Sequence, residues 1–276
     1  MLLAFSKSSL LKVPAGLLFA SFVFAAPCFG QAAVTNGSSR TIMTSAHRGE
    51  HAHHPENSIP AIQGAIDAGM DYVEIDVRTT SDGQLVLMHD PSVNRMTNGK
   101  GLVKDMTLAE IRRLDLGARF PGQFPGLQVP TFDEVLEFCK GKIGIYVDTK
   151  DATPEALVAA IERHAMGKHV MFWSEHPDFL KQIATLQPAW VLMPEAFNPQ
   201  NVDKLVDMLH PQLLGADERD FNTATIAAAK EVNVGIFVDR QTEKEWQDAI
   251  DKGAVGIQTN FPAELTAYLR AHGYHQ

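Results

Sequence analysis

Within some forty residues the chain carries His47-Arg48-Gly49, Pro55-Glu56-Asn57-Ser58, Glu74-x-Asp76 and His89-Asp90. Paired carboxylates hold hard cations such as Mg2+ or Ca2+ through oxygen. A guanidinium forks onto phosphate oxygens. Imidazole titrates near neutral pH, so two histidines on opposite sides of a phosphate can serve as base and acid. This is the inventory for metal-assisted chemistry on a phosphate. A second local group, His51, His53 and His54, raises the possibility of zinc. Its loop spacing lacks the i, i+4 placement of helical zinc sites and no cysteine joins it, so a solvated loop that touches substrate is expected.

Chemistry from these residues requires elements that bring them together. Short apolar runs cover 42–46, 72–77, 143–147, 170–173, 190–193, 213–216, 234–238 and 255–258. Helical patterns near 58–69, 132–139, 154–165, 176–186, 200–209, 223–232, 243–251 and 262–272 alternate with them. Eight strand–helix pairs predict an α/β fold, a TIM (β/α)8 barrel. An open doubly wound sheet is the alternative, but no glycine-rich phosphate fingerprint follows the first run.

One further run, 84–88, breaks the alternation. It follows the second strand after Ser81-Asp82-Gly83, and Asp-Gly between apolar residues signals a hairpin. The run is therefore expected to turn back along the second strand and return His89 toward Glu74 and Asp76. An insertion of about 91–130 follows, containing Asn98-Gly99, Lys100-Gly101, a short helical piece near 108–114 and a Pro/Gly-rich passage from Pro121 to Pro130. Such a segment above a barrel mouth is either a lid or an inert elaboration.

Strand alternation puts Tyr72, Glu74 and Asp76 on one face and Val73, Ile75 and Val77 on the other. In a barrel the apolar set faces the helices, so both carboxylates point inward. Two inward carboxylates repel each other and lose hydration unless a positive group lies between them. A divalent cation, Mg2+ or Ca2+, answers that need; a salt bridge to Arg48 or Arg78 is the alternative. On the third barrel strand Asp148 shares a face with Tyr146 and would complete a three-carboxylate site, with Lys150 turned toward a phosphate oxygen. His47 and His89 both end strands at the mouth, where barrel enzymes do their chemistry.

The whole chain has 276 residues, 45% apolar and 21% charged, ordinary for a globular protein with a sizeable core. Its formal charge of −9 argues against nucleic-acid binding, which favours a basic patch. It leaves an anionic substrate open, because a cation reverses the local field. Lys7 and Lys12 precede or flank an apolar run over 13–26, with small residues at Gly30, Ala32 and Ala33. That pattern predicts a removed export signal over 1–32, a polar lead-in over 33–40 and a barrel domain over 41–276. The mature protein is then periplasmic or secreted, with no transmembrane segment. An uncleaved anchor is the alternative, and Pro27 argues against a lipoprotein at Cys28. Removal of the signal leaves Cys139 as the lone thiol, expected to be buried and structural.

The chain resembles the glycerophosphodiester phosphodiesterase family. The resemblance rests on His47-Arg48-Gly49, Pro55-Glu56-Asn57-Ser58, Glu74-x-Asp76, Asp82-Gly83 and His89-Asp90-Pro91. It continues through Arg95-Met96-Thr97-Asn98-Gly99-Lys100-Gly101, Val129-Pro130-Thr131 and Glu134-Val135-Leu136. The resemblance implies a barrel that hydrolyses small glycerophosphodiesters to glycerol 3-phosphate and an alcohol. It implies that Glu74, Asp76 and Asp148 hold one divalent cation, Mg2+ or Ca2+, and that His47 and His89 are acid and base. Arg48 and Lys150 would bind phosphate, with Glu56 and Asn57 joining them as substrate-binding residues.

Three positions depart from the family pattern: Asp148 stands where Glu is usual, Phe237 where Trp is common, and Asn260 where Asp is common. The expected attack is by the glycerol 2-hydroxyl or by water, with His89 protonating the leaving alkoxide. Two other readings remain at this level. One is a phospholipase D-like barrel acting on lysophospholipid or sphingomyelin, using Phe120, Phe124 and Leu127 at the mouth. The other is a non-catalytic barrel that binds a polar headgroup.

Overall fold

In this computed structural model the described residues are 41–276; the expected export signal, the lead-in and Cys28 lie outside them. Chain order runs β1 (Met43–Ala46), α1 (Ile59–Asp67), β2 (Tyr72–Thr79), β3 (Leu85–Leu87), α2 (Leu108–Ile111), α3 (Phe132–Cys139), β4 (Gly144–Thr149) and α4 (Pro154–Arg163). It continues through β5 (Val170–Ser174), α5 (Pro177–Leu186), β6 (Val191–Pro194), α6 (Pro199–Leu209), β7 (Leu213–Ala216), α7 (Thr223–Glu231), β8 (Gly235–Asp239), α8 (Glu243–Lys252), β9 (Gly256–Thr259) and α9 (Pro262–Ala271).

The sheet order is β6-β5-β4-β2-β1-β9-β8-β7, with every hydrogen-bonded neighbour on this path parallel. A bridge between Glu195 and Gly215, with Ala196 N–H donating to the Gly215 carbonyl at 2.9 Å, brings β6 to β7 and nearly closes the barrel. The eightfold alternation therefore produces the expected barrel. Its helices begin where side chains or proline satisfy the first turn. Thr131 with Glu134 and Thr242 with Glu245 form reciprocal capping boxes on α3 and α8. Proline opens α4, α5, α6 and α9, where its missing N–H costs no helical bond.

Two apolar layers follow from strand alternation. Val73, Ile75 and Val77 join the cluster between barrel and helices, along with Cys139. Burial pushes the Cys139 thiol up to about 12, so it is an inert core group. Tyr72, Tyr146, Met171, Met193 and Phe237 fill the barrel interior below the mouth. The small residues there make room: a Cβ on Gly256 would lie 2.2 Å from the Phe237 ring.

β3 pairs antiparallel with β2, with Val77 opposite Leu87 and Thr79 opposite Leu85. The turn is made by Gly83 at φ +76°, with Asp82 accepting from Thr80 Oγ1. Between β3 and β4 the chain builds its own small core from Val86, Met88, Val93, Met96, Ile111, Leu116 and Val129. The segment is thus anchored to β3 by apolar packing. The helical piece within it ends at Ile111 and is shorter than the expected 108–114, because Arg113 and Leu114 bond back with three-residue spacing instead.

Candidate active site

β2 and β4 run in parallel with Glu74 opposite Tyr146 and Asp76 opposite Asp148. That register places three carboxylates at one end of the barrel, with ligand oxygens of Glu74, Asp76 and Asp148 all within 4.8 Å of one another. Glu74 and Asp76 are almost wholly buried, at 2% and 1% exposure. Burial, then the charges of Asp76 and Asp148, holds Glu74 well above the usual carboxylate range. Burial likewise pushes Asp148 up to about 6, against the pull of Lys150.

Two cations face this cluster. Lys150 Nζ lies 2.6 Å from Asp148 Oδ2 and 3.0 Å from Asp76 Oδ1. Burial lowers its pKa, but the two carboxylates outweigh that and raise it. Arg48 Nε lies 3.5 Å from Asp76 Oδ2 without a hydrogen bond, and it is buried with no acceptor. An orphaned guanidinium N–H is costly, and a phosphate oxygen at this place would satisfy it. Of the two salt-bridge partners considered from sequence, Arg48 approaches Asp76. Arg78 instead donates to the His89 carbonyl at 2.7 Å and pairs with Asp151 at 2.8 Å.

Backbone geometry at His47-Arg48-Gly49 serves this arrangement. Arg48 has φ +54°, and its N–H donates to Glu74 Oε2 at 2.7 Å. Gly49 follows at φ +83°, and a Cβ there would lie 2.7 Å from the Ala61 carbonyl carbon. Asn57 is also left-handed, at φ +55°. Its amide nitrogen donates to Asp76 Oδ2 at 2.6 Å, and its oxygen accepts from Asp76 N–H at 3.0 Å. Left-handed conformations on non-glycine residues are held only where the surroundings over-determine them. Glu56 accepts from Arg48 at 3.3 Å and from Arg95 at 2.6 Å. In this structure Asn57 therefore orients a carboxylate of the cluster, and Glu56 links two arginines.

The two histidines have different surroundings. His47 extends β1, donating its N–H to the Thr259 carbonyl at 3.0 Å, and its Nδ1 donates to Asn260 Oδ1 at 2.7 Å. Nε2 then carries the lone pair. Burial lowers the His47 pKa to about 4, against the opposing effect of the Asn260 bond. His89 is brought in by the hairpin: Met88 N–H donates to the Asp76 carbonyl at 3.0 Å, so the next residue emerges beside the carboxylates. Its Nδ1 donates to Asp90 Oδ1 at 2.9 Å. Both rings thus donate from Nδ1, one to an amide and the other to a carboxylate, and each keeps Nε2 free.

The cluster is all oxygen, hard and negatively charged, which matches the donor set of Mg2+ or Ca2+. Three carboxylates against Lys150 and the unsatisfied Arg48 leave the charge balance open to a divalent cation. Beside the site, His51, His54, Glu56, Arg95, Met96, Arg119 and Phe120 line a cavity of about 440 Å³. His53 is exposed at 80% and pairs with Glu50 at 3.0 Å; among the described residues only Glu74, Asp76 and Asp148 form a metal-capable group. Three residues outside the expected set belong to the site: Asn260 on His47, Asp90 on His89, and Arg95 on Asp90 and Glu56. Asp90 and Arg95 lay inside recognisable motif segments, and Asn260 at the end of the last strand. That was the available signal.

Residues 47–264 match the model of the glycerophosphoryl diester phosphodiesterase family. The chain is 32% identical to a glycerophosphodiester phosphodiesterase of Bacillus subtilis over 248 residues, covering 80% of this chain and 84% of that one. It is 30% identical to a glycerophosphodiester phosphodiesterase of Bacillus altitudinis over 239 residues, covering 79% and 94%. Among solved structures, a glycerophosphodiester phosphodiesterase from Agrobacterium tumefaciens superposes with a TM-score of 0.75 at 25% identity, covering 82% of this chain and all of that one. A phosphodiesterase from Oleispira antarctica, in complex with the product sn-glycerol-3-phosphate, superposes with a TM-score of 0.77 at 22% identity, covering 83% and 97%.

Proposed function

Because the chain belongs to the glycerophosphoryl diester phosphodiesterase family, we propose that its hydrolysis of glycerophosphodiesters runs by His47/His89 acid–base catalysis at a divalent-cation site. The observation that carries this is the asymmetry of the two imidazoles. Burial keeps His47 neutral, and its Nδ1 bond to the Asn260 amide leaves Nε2 free to take a proton. His89 donates from Nδ1 to the Asp90 carboxylate, which fixes the ring and leaves Nε2 as the atom that gives a proton to the leaving alcohol. With each Nδ1 engaged, both rings keep Nε2 for proton transfer, and their different Nδ1 partners distinguish the base from the acid.

Glu74, Asp76 and Asp148 would hold the cation, Mg2+ or Ca2+, with Asn57 fixing the orientation of Asp76. When bound, such an ion offsets charge on the phosphoryl oxygens and favours ionisation of the attacking hydroxyl. Arg48 Nε and Lys150 Nζ supply the chain's own cations to those oxygens, where most transition-state stabilisation belongs. The cavity beside the site has five ionisable side chains among its seven lining residues.

Release of glycerol 3-phosphate from glycerophosphocholine, measured with chelator and after adding Mg2+ or Ca2+, tests the reading. Release should stop with chelator and return with metal. His47→Ala and His89→Ala should each lower kcat by about 10²–10⁴ without changing the fold. Activity that persists in either variant or in chelator overturns the corresponding part. The reading also includes export, on the apolar run over 13–26 and the small residues after it. Mass spectrometry of the protein from periplasm or medium should find a mature N-terminus near residue 33. A chain that keeps residue 1 there would contradict it. Among the described residues no helix is long and apolar enough to cross a membrane.

A further inference from the structure

One side chain connects the segment after β3 to the reacting groups. Arg95 donates through Nε and Nη2 to Asp90 Oδ2 and Oδ1 at 2.7 and 3.0 Å. Through Nη1 and Nη2 it donates to Glu56 Oε2 and Oε1 at 3.0 and 2.6 Å. Nη1 also lies 3.1 Å from Met96 Sδ. A guanidinium has five donors in a rigid plane, and these contacts engage all three of its nitrogens. Arg95 is therefore spent on protein carboxylates, although it lines the cavity beside the site.

What lies beyond Asp90 gives this fork its meaning. Asp90 Oδ1 also accepts from His89 Nδ1 at 2.9 Å. The Glu56 fork is the anchor: Glu56 is buried at 9% exposure and tied to Arg48 as well. Behind the guanidinium, Arg119 Nε donates to the Arg95 carbonyl at 2.7 Å and fixes its backbone. The chain Glu56–Arg95–Asp90–His89 is thus continuous and planar at its centre. Lysine, with a single ammonium, cannot reproduce both forks.

We infer that Arg95 is a positioning residue that clamps Asp90 so that His89 presents Nε2 to the leaving alcohol oxygen; this rests on His89 being the leaving-group acid. In that step the attacking hydroxyl forms a new P–O bond and gives its proton to His47 Nε2, while the P–O bond to the alcohol breaks and its electron pair stays with the alcohol oxygen. The proton on His89 Nε2 moves to that oxygen. An alkoxide as basic as that of choline needs the proton, whereas p-nitrophenolate is stable as the anion. Disordering His89 should therefore penalise the first leaving group more than the second.

The experiment compares glycerophosphocholine with glycerophosphoryl p-nitrophenol for the wild type, Arg95→Ala, Arg95→Lys and Asp90→Asn, at saturating Mg2+ or Ca2+. For Arg95→Ala, kcat on glycerophosphocholine should fall by about 10² or more, while KM changes little. The loss on the p-nitrophenyl ester should be at least about tenfold smaller. Asp90→Asn should show the same selectivity, and the double variant should lose little beyond either single one. Added guanidinium should restore part of the Arg95→Ala rate on glycerophosphocholine. Equal losses on both esters, a loss confined to KM, or wild-type rates overturn the inference. If Arg95→Ala does not fold, Arg95→Lys and Asp90→Asn decide by the same selectivity. A wild type that releases neither choline nor p-nitrophenol sinks the functional reading, which is a different failure.

Discussion

His47 and Asn260 meet across 213 residues of sequence, and this contact works against burial at the proposed base. Burial depresses the imidazole pKa to about 4, and the amide of Asn260 only partly opposes that. A carboxylate in the same place would favour the imidazolium much more strongly than an amide does. A general base must be unprotonated to act, so activity falls as pH drops through its pKa. Asn260→Asp should therefore raise the His47 pKa and move the acidic limb of kcat/KM upward by about a pH unit or more. A pH–rate profile on glycerophosphocholine checks this, and an unmoved acidic limb would show that another group controls it.

At the scale of elements, two tight turns look alike but carry different loads. Gly83 has φ +76° and a Cβ there would meet nothing within 4 Å, so Gly83→Ala should cost only the left-handed backbone penalty. That is about 1 kcal/mol, a small fall in melting temperature with activity kept. Gly49 has φ +83°, and a Cβ would press on the Ala61 backbone at 2.7 Å while the neighbouring Arg48 N–H holds Glu74. Gly49→Ala should lower the melting temperature further and reduce kcat, because relief of the clash moves Arg48. Equal effects of the two substitutions would contradict this account. The hairpin at Gly83 was legible because Asp-Gly between apolar runs has few other uses, and the period of two showed which carboxylates face inward. Alternation gives faces but not contacts. The left-handed Arg48, the Arg48 N–H on Glu74 and the Asn57 amide on Asp76 depend on how loops close over strand ends. Arg95 stands in a recognisable motif, but its role was not legible, since its partners Glu56 and Asp90 are set by the packing of the segment after β3.

At the scale of the whole molecule, the carboxylate cluster is a place where the fold holds charge against its preference. Burial raises Glu74 well above its ordinary value and Asp148 to about 6, whereas both would titrate near 4 in the unfolded chain. Above the unfolded values the folded protein binds more protons than the unfolded one, so stability falls as pH rises from about 4 through the Asp148 value of about 6 and on through the raised range of Glu74. A divalent cation reverses the balance, because it binds the deprotonated carboxylates and competes with protons. Binding to the folded state alone stabilises by about 2.7 kcal/mol at a hundredfold excess over Kd. The gain in melting temperature on adding Mg2+ or Ca2+ to chelator-treated protein should therefore be larger at pH 7.5 than at pH 5. Asp148→Asn should remove most of that gain while also relieving the fall in stability of the metal-free protein at pH 7.5. Thermal melts at the two pH values, with and without metal, decide it: a gain that is the same at both would mean that these carboxylates are not where the ion binds.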